Sequence, residues 1–125
     1  MNIQSILISD IVNLTSIKEY FSSDKNLLIQ LIEVFISDTS PRLETLKKSL
    51  ESVNYEELKS ISHFLKSSLA LMGVSCIEEI KDLEKSAEEK VSEEEIKTKI
   101  NLIFPILEKS LLEYQSILDN LKVLN

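Results

Sequence analysis

One stretch of the sequence contains the start, the apolar face and the end of a helix: residues 53–73, VNYEELKSISHFLKSSLALMG. Asn54 can act as the N-cap, because its side chain can accept a hydrogen bond from a backbone N–H in the first turn. Val53 can pack against Leu58 as a hydrophobic staple. Gly73, the only glycine in the chain, stands where a helix commonly ends in a left-handed residue. These signals predict one helix between Asn54 and Gly73.

The only histidine of the chain, His63, lies in the middle of this predicted helix. At the helical period of about 100° per residue, one side collects the core residues. They are Leu58, Ile61, Leu65, Ser68, Leu69 and Met72. His63 points away from that side and is predicted to face solvent. Ser67 and Ala70, the next residues along its own face, have short side chains, so the imidazole is expected to be accessible to another protein.

The composition favours a single all-helical domain. A chain of 125 residues can bury a core of its own, and one glycine and two prolines leave few signals for strands and hairpins. Helical spacing recurs in a short N-terminal segment, over residues 25–49, in a shorter helix that Ser75 is expected to cap, and in a last long helix that Ser92 is expected to cap. We expect Pro41 to kink the helix over residues 25–49 and not to split it.

Four main helices with connections of only a few residues predict an antiparallel, up-down-up-down four-helix bundle. Residues 23–125 are predicted to form this bundle. Residues 1–22 are predicted to form a short accessory N-terminal helix that packs on it, within a single domain. His63 then lies on the outside of the bundle, midway along its helix. We expect a monomer, because the apolar face of the last helix can be buried within one chain.

The charge and the cysteine content exclude several classes of function. The chain has 21 acidic and 14 basic residues, and a net charge of −7 is the wrong sign for binding nucleic acid. No apolar run reaches the ~20 residues needed to cross a bilayer, and the N-terminus does not resemble a secretory signal, so we expect a cytoplasmic protein that does not bind membranes. Cys76 is the only cysteine and is expected to be a reduced structural thiol without a metal.

Elimination leaves one chemistry for His63. A di-iron site in a helical bundle needs a Glu three residues before the histidine, and Ser60 stands there. A dyad with Cys76 is not indicated, because a helix end separates the two residues. The chain also lacks a glycine-rich phosphate loop with which to use ATP. Since an imidazole is substantially neutral near neutral pH and can act as a nucleophile, we predict phosphoryl transfer between partner proteins, with Lys66 offsetting the phosphoryl charge.

These residues resemble the motif of the histidine-containing phosphotransfer (HPt) family. The match runs through His63, Leu65, Lys66, Ser68 and Gly73, with the small residue Ser62 just before the histidine. Helix order and lengths agree over roughly residues 24–122. Members of the family are four-helix bundles that relay phosphoryl groups in multistep two-component signalling. The resemblance implies that His63 carries the phosphoryl group, that Lys66 supports it and that Gly73 ends the helix.

The resemblance also implies the partners. His63 would accept the phosphoryl group from the aspartate of one receiver domain and pass it to the aspartate of another. The receiver domains would belong to response regulators or to a hybrid histidine kinase and would supply the Mg²⁺ ion, so the chain is expected to need no cofactor and to be a carrier without an ATP site. The residues expected near the site and at the docking surface are Ser62, Phe64, Ser67, Ala70 and Gly73.

One departure from the family pattern leaves other functions open. The family usually has glycine four residues after the histidine, where this chain has Ser67. The extra atoms could slow transfer or narrow the choice of partners, although serine also suits a helix better than glycine. An alternative function is therefore an interaction module that binds receiver or kinase domains without transferring phosphate. A third is a structural helical domain that binds no receiver. No motif identifies the partners, the direction of phosphate flow or the output response.

Overall fold

The computed structural model describes residues 2–124, and all regular elements in that range are helices. They are α1 (Ile3–Ile6), α2 (Thr15–Phe21), α3 (Lys25–Lys48), α4 (Tyr55–Met72), α5 (Ile77–Glu88) and α6 (Glu93–Lys122). The prediction of an all-α protein is confirmed. Met1 and Asn125, at the outer ends of the two predicted segments, lie outside the described residues.

The four long helices, α3 to α6, form a helical bundle. The most extensive contacts are those of α4 with α5 and of α3 with α6, followed by those of α5 with α6. Buried apolar side chains from all six helices join in one contiguous core. None of the helices in residues 2–124 has the length and hydropathy of a membrane span.

Two of the three predicted helix caps are present. The Asn54 side chain accepts a hydrogen bond of 3.1 Å from the Glu57 N–H, and the Ser92 hydroxyl accepts one of 3.2 Å from the Glu95 N–H. The prediction that Ser75 caps α5 is wrong. The N-cap position is occupied by Cys76, which makes no capping hydrogen bond with its side chain and is fully buried in the core.

The surroundings of Cys76 agree with a structural thiol. Burial, with a smaller contribution from the negative charge of Glu79, raises the pKa of the Cys76 thiol to about 12. Because the thiolate is the reactive form, this thiol is inert at neutral pH.

Both prolines lie inside continuous helices. Pro41 lies within α3 and Pro105 within α6. The helix predicted over residues 25–49 is therefore not split at Pro41. Proline lacks the N–H that would bond the carbonyl four residues back, which here belongs to Ser37 and to Asn101. Both of these residues are exposed, so water can satisfy their carbonyl oxygens.

The N-terminal region has two short helices, whereas the sequence predicts a single accessory helix. The segment between α1 and α2 turns because side chains bind its backbone N–H groups. The Ser9 hydroxyl accepts from the N–H groups of Ile11 and Val12, and the Asn13 side chain accepts from the Thr15 N–H. Such local hydrogen bonds compete with those of a helix.

The same N-terminal segment contacts the end of α4 at Gly73. The Asn13 N–H donates a hydrogen bond of 2.9 Å to the Gly73 carbonyl oxygen. Gly73 has a φ of 67°, in the left-handed region, and a Cβ atom at this position would lie 1.8 Å from the Asn13 carbonyl oxygen. Gly73 is therefore required both by the backbone conformation and by the close approach of the N-terminal segment.

Candidate functional site

The exposed side of α4 presents His63 to solvent. The side chain of His63 is 75 % exposed, while Leu58, Leu65 and Leu69 on the opposite side of the helix are completely buried. Burial of that apolar side determines the rotation of α4 about its axis, and hence the outward direction of the histidine.

A carboxylate from the neighbouring helix contacts His63. The Nδ1 atom of His63 lies 2.9 Å from Oε2 of Glu84, a residue of α5. The other carboxylate oxygen of Glu84, Oε1, lies 2.7 Å from Nζ of Lys66. One carboxylate thus joins the two residues that the sequence predicts to act together. The side chain of Glu84 is only 17 % exposed, so water competes weakly for these contacts.

These contacts keep Glu84 ionised. The hydrogen bond from Lys66 is the largest effect and lowers the pKa of Glu84, and the hydrogen bond with His63 and the charges of both residues act in the same direction. Partial burial of the carboxyl group opposes them but does not prevail.

The ionised carboxylate determines which nitrogen of His63 carries a proton. A carboxylate without a proton can only accept hydrogen bonds, so Nδ1 must donate the hydrogen atom in the contact with Glu84. In the neutral imidazole the lone pair is then on Nε2. The site therefore presents an exposed nitrogen nucleophile whose tautomer is held by the partly buried carboxylate of Glu84.

Sequence reasoning did not identify Glu84. No local motif distinguishes Glu84 from the other glutamates of α5. A weak signal exists in the helical period, because Glu84 lies four residues after the buried Ile80 and immediately after the buried Leu83. A glutamate at the border of the apolar face can reach the next helix, but which residue it meets depends on how α5 packs on α4.

Two of the predicted docking residues share the exposed face of α4 with His63. Ser67 and Ala70 are both exposed and continue that face towards the end of the helix. Phe64 lies beside them, 37 % exposed, and the guanidinium carbon of Arg42 from α3 is 3.5 Å from the centroid of its ring. This is a cation–π contact between α3 and α4.

Ser62 and Gly73 differ from the other predicted docking residues. Ser62 is completely buried, because it lies on the side of α4 that faces the core, so its inclusion in a docking surface is corrected. Gly73 is half-buried against the Asn13 backbone, where it serves the chain's own packing. Ser62 is next to the histidine in sequence, but the rotation of about 100° per residue turns its side chain to the core and that of His63 to solvent.

A pocket adjoins His63 on the side towards the start of α4. It is lined by Glu56, Lys59, Ser60, His63 and Glu84. Lys59 forms a loose ion pair there, in which Nζ is 3.8 Å from Oε1 of Glu88, a residue of α5. The surroundings of His63 thus contain two lysines, one bound closely to Glu84 and the other loosely to Glu88.

Comparison with known proteins identifies the family. The model of the Hpt domain family matches residues 30–121, which include α4, α5 and the greater part of α3 and α6. The phosphorelay intermediate protein YPD1 of Candida albicans (strain SC5314 / ATCC MYA-2876) is 38 % identical over 69 residues, which cover 55 % of this chain and 34 % of that protein. The chain thus spans about a third of the length of this curated relative. Comparison with solved structures gives no match. Because the family match covers most of the chain, including the helix that carries His63 and the helix that carries Glu84, the protein belongs to the Hpt domain family.

Proposed function

We propose that the protein is a phosphorelay intermediate in multistep two-component signalling and that His63 carries the phosphoryl group. The observation that carries this proposal is the contact between His63 and Glu84, which leaves Nε2 as the exposed nucleophile in a chain of the Hpt domain family. The name of the Candida albicans relative, a phosphorelay intermediate protein, supports the same function.

In the proposed reaction, Nε2 of His63 attacks the phosphorus atom of an aspartyl phosphate on a receiver domain. The Nε2 lone pair forms the new N–P bond, and the electron pair of the breaking P–O bond leaves with the aspartate, which becomes a carboxylate. No proton and no further reactant is needed. In the return step the carboxylate of a second receiver attacks the same phosphorus atom, and the electron pair of the N–P bond returns to Nε2.

Glu84 and Lys66 have complementary roles in this reaction. The imidazole acquires positive charge when Nε2 bonds to phosphorus, and the carboxylate of Glu84 offsets this charge through the Nδ1 hydrogen bond. Lys66 holds the other oxygen of Glu84 and so fixes the carboxylate against the ring. In the absence of a partner, Lys66 therefore acts on Glu84 and through it on the histidine.

We further propose the wider setting of this reaction. The partners are receiver domains of response regulators or of a hybrid histidine kinase, and they supply Mg²⁺ and the phosphate that originates from ATP. The protein is then a phosphohistidine carrier and not a kinase, and we propose that it acts as a monomer in the cytoplasm.

The proposed arrangement of the bundle is antiparallel, up-down-up-down. The short connections between α3, α4, α5 and α6 and the packing of α3 on α6 support it. The proposed boundary at residue 23 agrees with the start of α3 at Lys25.

A second candidate function rests on Ser67. This residue is exposed on the face of α4 that carries His63, at the position where the family usually has glycine. If its hydroxymethyl group keeps the receiver from approaching closely, the protein binds receiver domains without accepting phosphate. This alternative predicts binding that does not depend on the His63 imidazole.

Transfer of labelled phosphate from a phosphorylated receiver domain of the same cell tests the proposal. We expect an acid-labile, alkali-stable label on the wild-type protein and none on His63→Gln. A Ser67→Gly variant is the matched comparison and is expected to accept the label at least as fast as the wild type. If receivers bind the wild type and His63→Gln equally and label neither, the relay is wrong and the interaction module replaces it.

A further inference from the structure

The charges around His63 leave one lysine without a close partner. Glu84 contributes a single negative charge, which His63 and Lys66 share at 2.9 Å and 2.7 Å. Lys59 has only the pair with Glu88, at 3.8 Å, in which the side chains are 45 % and 64 % exposed. Exposed pairs of this kind are weak and are screened by salt. Lys59 can therefore leave Glu88 easily, whereas Lys66 is held.

Helix geometry predicts that the histidine side chain leans towards the turn that contains Lys59. Side chains on an α-helix lean towards the helix N-terminus, so a residue covers the turn that precedes it. For His63 that turn contains Lys59 and Ser60. The pocket described above agrees with this direction, because Lys59, Ser60 and His63 line it together. The space next to the imidazole thus contains a flexible cation and a hydroxyl group that can donate a hydrogen bond.

We propose that this pocket is the subsite that receives the phosphoryl group on His63, with Lys59 exchanging Glu88 for a phosphoryl oxygen and Ser60 donating a second hydrogen bond. The inference rests on the proposed function and deepens it, because it identifies the groups that stabilise the phosphorylated state. Lys59 forms no covalent bond, so the electron balance of the transfer is unchanged. Glu56 lines the same pocket and carries a charge that opposes the phosphoryl group.

The equilibrium of phosphoryl transfer is the quantity that tests this subsite. A residue that only helps a receiver to dock changes the rates of forward and reverse transfer together, whereas one that binds the phosphoryl group changes the equilibrium constant. The constant is obtained from the fractions of phosphorylated receiver and phosphorylated His63 once transfer has stopped changing. The receiver domain that labels the wild-type protein serves as the probe.

We expect Lys59→Gln to shift this constant against phosphorylated His63 by about three- to tenfold, the range for loss of one partly exposed charged contact. Lys59→Arg should keep the equilibrium constant close to the wild-type value. Glu56→Gln should shift the constant in favour of phosphorylated His63. The shift caused by Lys59→Gln should diminish at high salt. Lys85→Gln is the matched control, because Lys85 is an exposed lysine of α5 with an equally loose pair, 4.0 Å from Glu89.

Two outcomes contradict the proposal in different ways. If the wild type is labelled on His63 but Lys59→Gln has the same equilibrium constant as Lys85→Gln, the subsite is wrong and the relay stands. If the wild type accepts no label from any receiver, the relay is wrong and the subsite falls with it. Thermal unfolding of each variant shows whether the bundle is intact, which we expect because the Lys59 side chain is nearly half exposed.

Discussion

At the scale of single residues, the hydrogen bond between His63 and Glu84 links the chemistry of the site to pH. The pKa of Glu84 is lowered in the folded protein, first by the hydrogen bond from Lys66. A carboxyl group with a lowered pKa stabilises the folded state fully above its unfolded pKa, which is about 4.3 for glutamate. This stabilisation is lost as the pH falls through the lowered, folded value.

The Glu84→Gln variant tests this linkage. At neutral pH we expect the free energy of unfolding of this variant to be about 0.5–1 kcal/mol lower than that of the wild type. The loss is small because the contacts of Glu84 with His63 and Lys66 are partly exposed. The difference should shrink as the pH falls below the unfolded pKa of glutamate, about 4.3, and then through the lowered pKa of Glu84 in the folded protein. Chemical denaturation of both proteins between pH 3 and pH 7 measures it. A difference that does not change with pH would show that the charge of Glu84 contributes nothing.

The residues of the site were predictable only within one helix. His63 and Lys66 lie on α4, so the helical period alone relates their directions. Glu84 comes from α5, and its distance from His63 depends on the packing of two helices. The same helical period places Ser62 near the buried side of α4. Its position next to the histidine in the family motif instead suggested a place among the docking residues.

At the scale of secondary structure, the end of α4 supports the N-terminal segment. Gly73 accepts the Asn13 N–H and leaves no room for a side chain, since a Cβ atom would lie 1.8 Å from the Asn13 carbonyl oxygen. The obstructing atoms belong to the backbone, so they cannot move aside by a change of rotamer. Any larger residue must therefore displace the segment as well as adopt a positive φ.

We expect Gly73→Ala to lower the free energy of unfolding by about 2–4 kcal/mol, from the strained backbone and the displaced segment together. Chemical denaturation measures the loss. Ala70→Gly, an exposed position three residues earlier in α4, is the comparison and should cost only about 1 kcal/mol. If Gly73→Ala were as stable as Ala70→Gly, the backbone of Asn13 would not limit the space for a side chain at position 73.

The long helices were predictable because their signals are local. Asn54 and Ser92 cap α4 and α6 through contacts that span three residues, and apolar periodicity gave the length of each helix. The short elements were not predictable, because their local signals conflict. Ser9 and Asn13 use their side chains to turn the backbone between α1 and α2, while the apolar pattern continues past them. The start of α5 also differs from the expectation, because the buried Cys76 and not Ser75 occupies the N-cap position.

At the scale of the whole molecule, α6 is tied to α4 through one buried hydrogen bond. Tyr114 of α6 is completely buried, and its hydroxyl group donates to the carbonyl oxygen of Met72, the last residue of α4. Its ring also packs edge-on against Phe35 of α3, with centroids 5.3 Å apart. This one residue therefore joins three of the long helices.

We expect Tyr114→Phe to lower the free energy of unfolding by about 1–3 kcal/mol, because the buried Met72 carbonyl oxygen loses its partner while the ring packing is kept. The equilibrium constant for phosphorylation of His63 should stay the same, since α4 keeps its length and rotation. Thermal or chemical unfolding checks the first expectation, and transfer from a receiver checks the second. An unchanged stability would mean that water replaces the lost hydrogen bond.

The architecture was predictable at the level of a helical bundle with one core. Apolar periodicity shows which side of each helix is buried, but it does not show which helix lies against that side. The pairing of α4 with α5 and of α3 with α6 depends on the fit of many side chains at once. The contact between Arg42 and Phe64 is one product of that fit, and neither residue indicates it alone.

The buried thiol of Cys76 has a practical consequence for optical experiments. The chain has no other cysteine, and this one is enclosed by the core with a pKa of about 12, so thiol-reactive dyes should leave the native protein unlabelled. A Lys81→Cys variant then carries a single reactive handle on an exposed position of α5, near Glu84 but not on the face of α4 that carries His63. An environment-sensitive fluorophore at this position can report the arrival and departure of a receiver domain in real time, without removal of any native residue from the core.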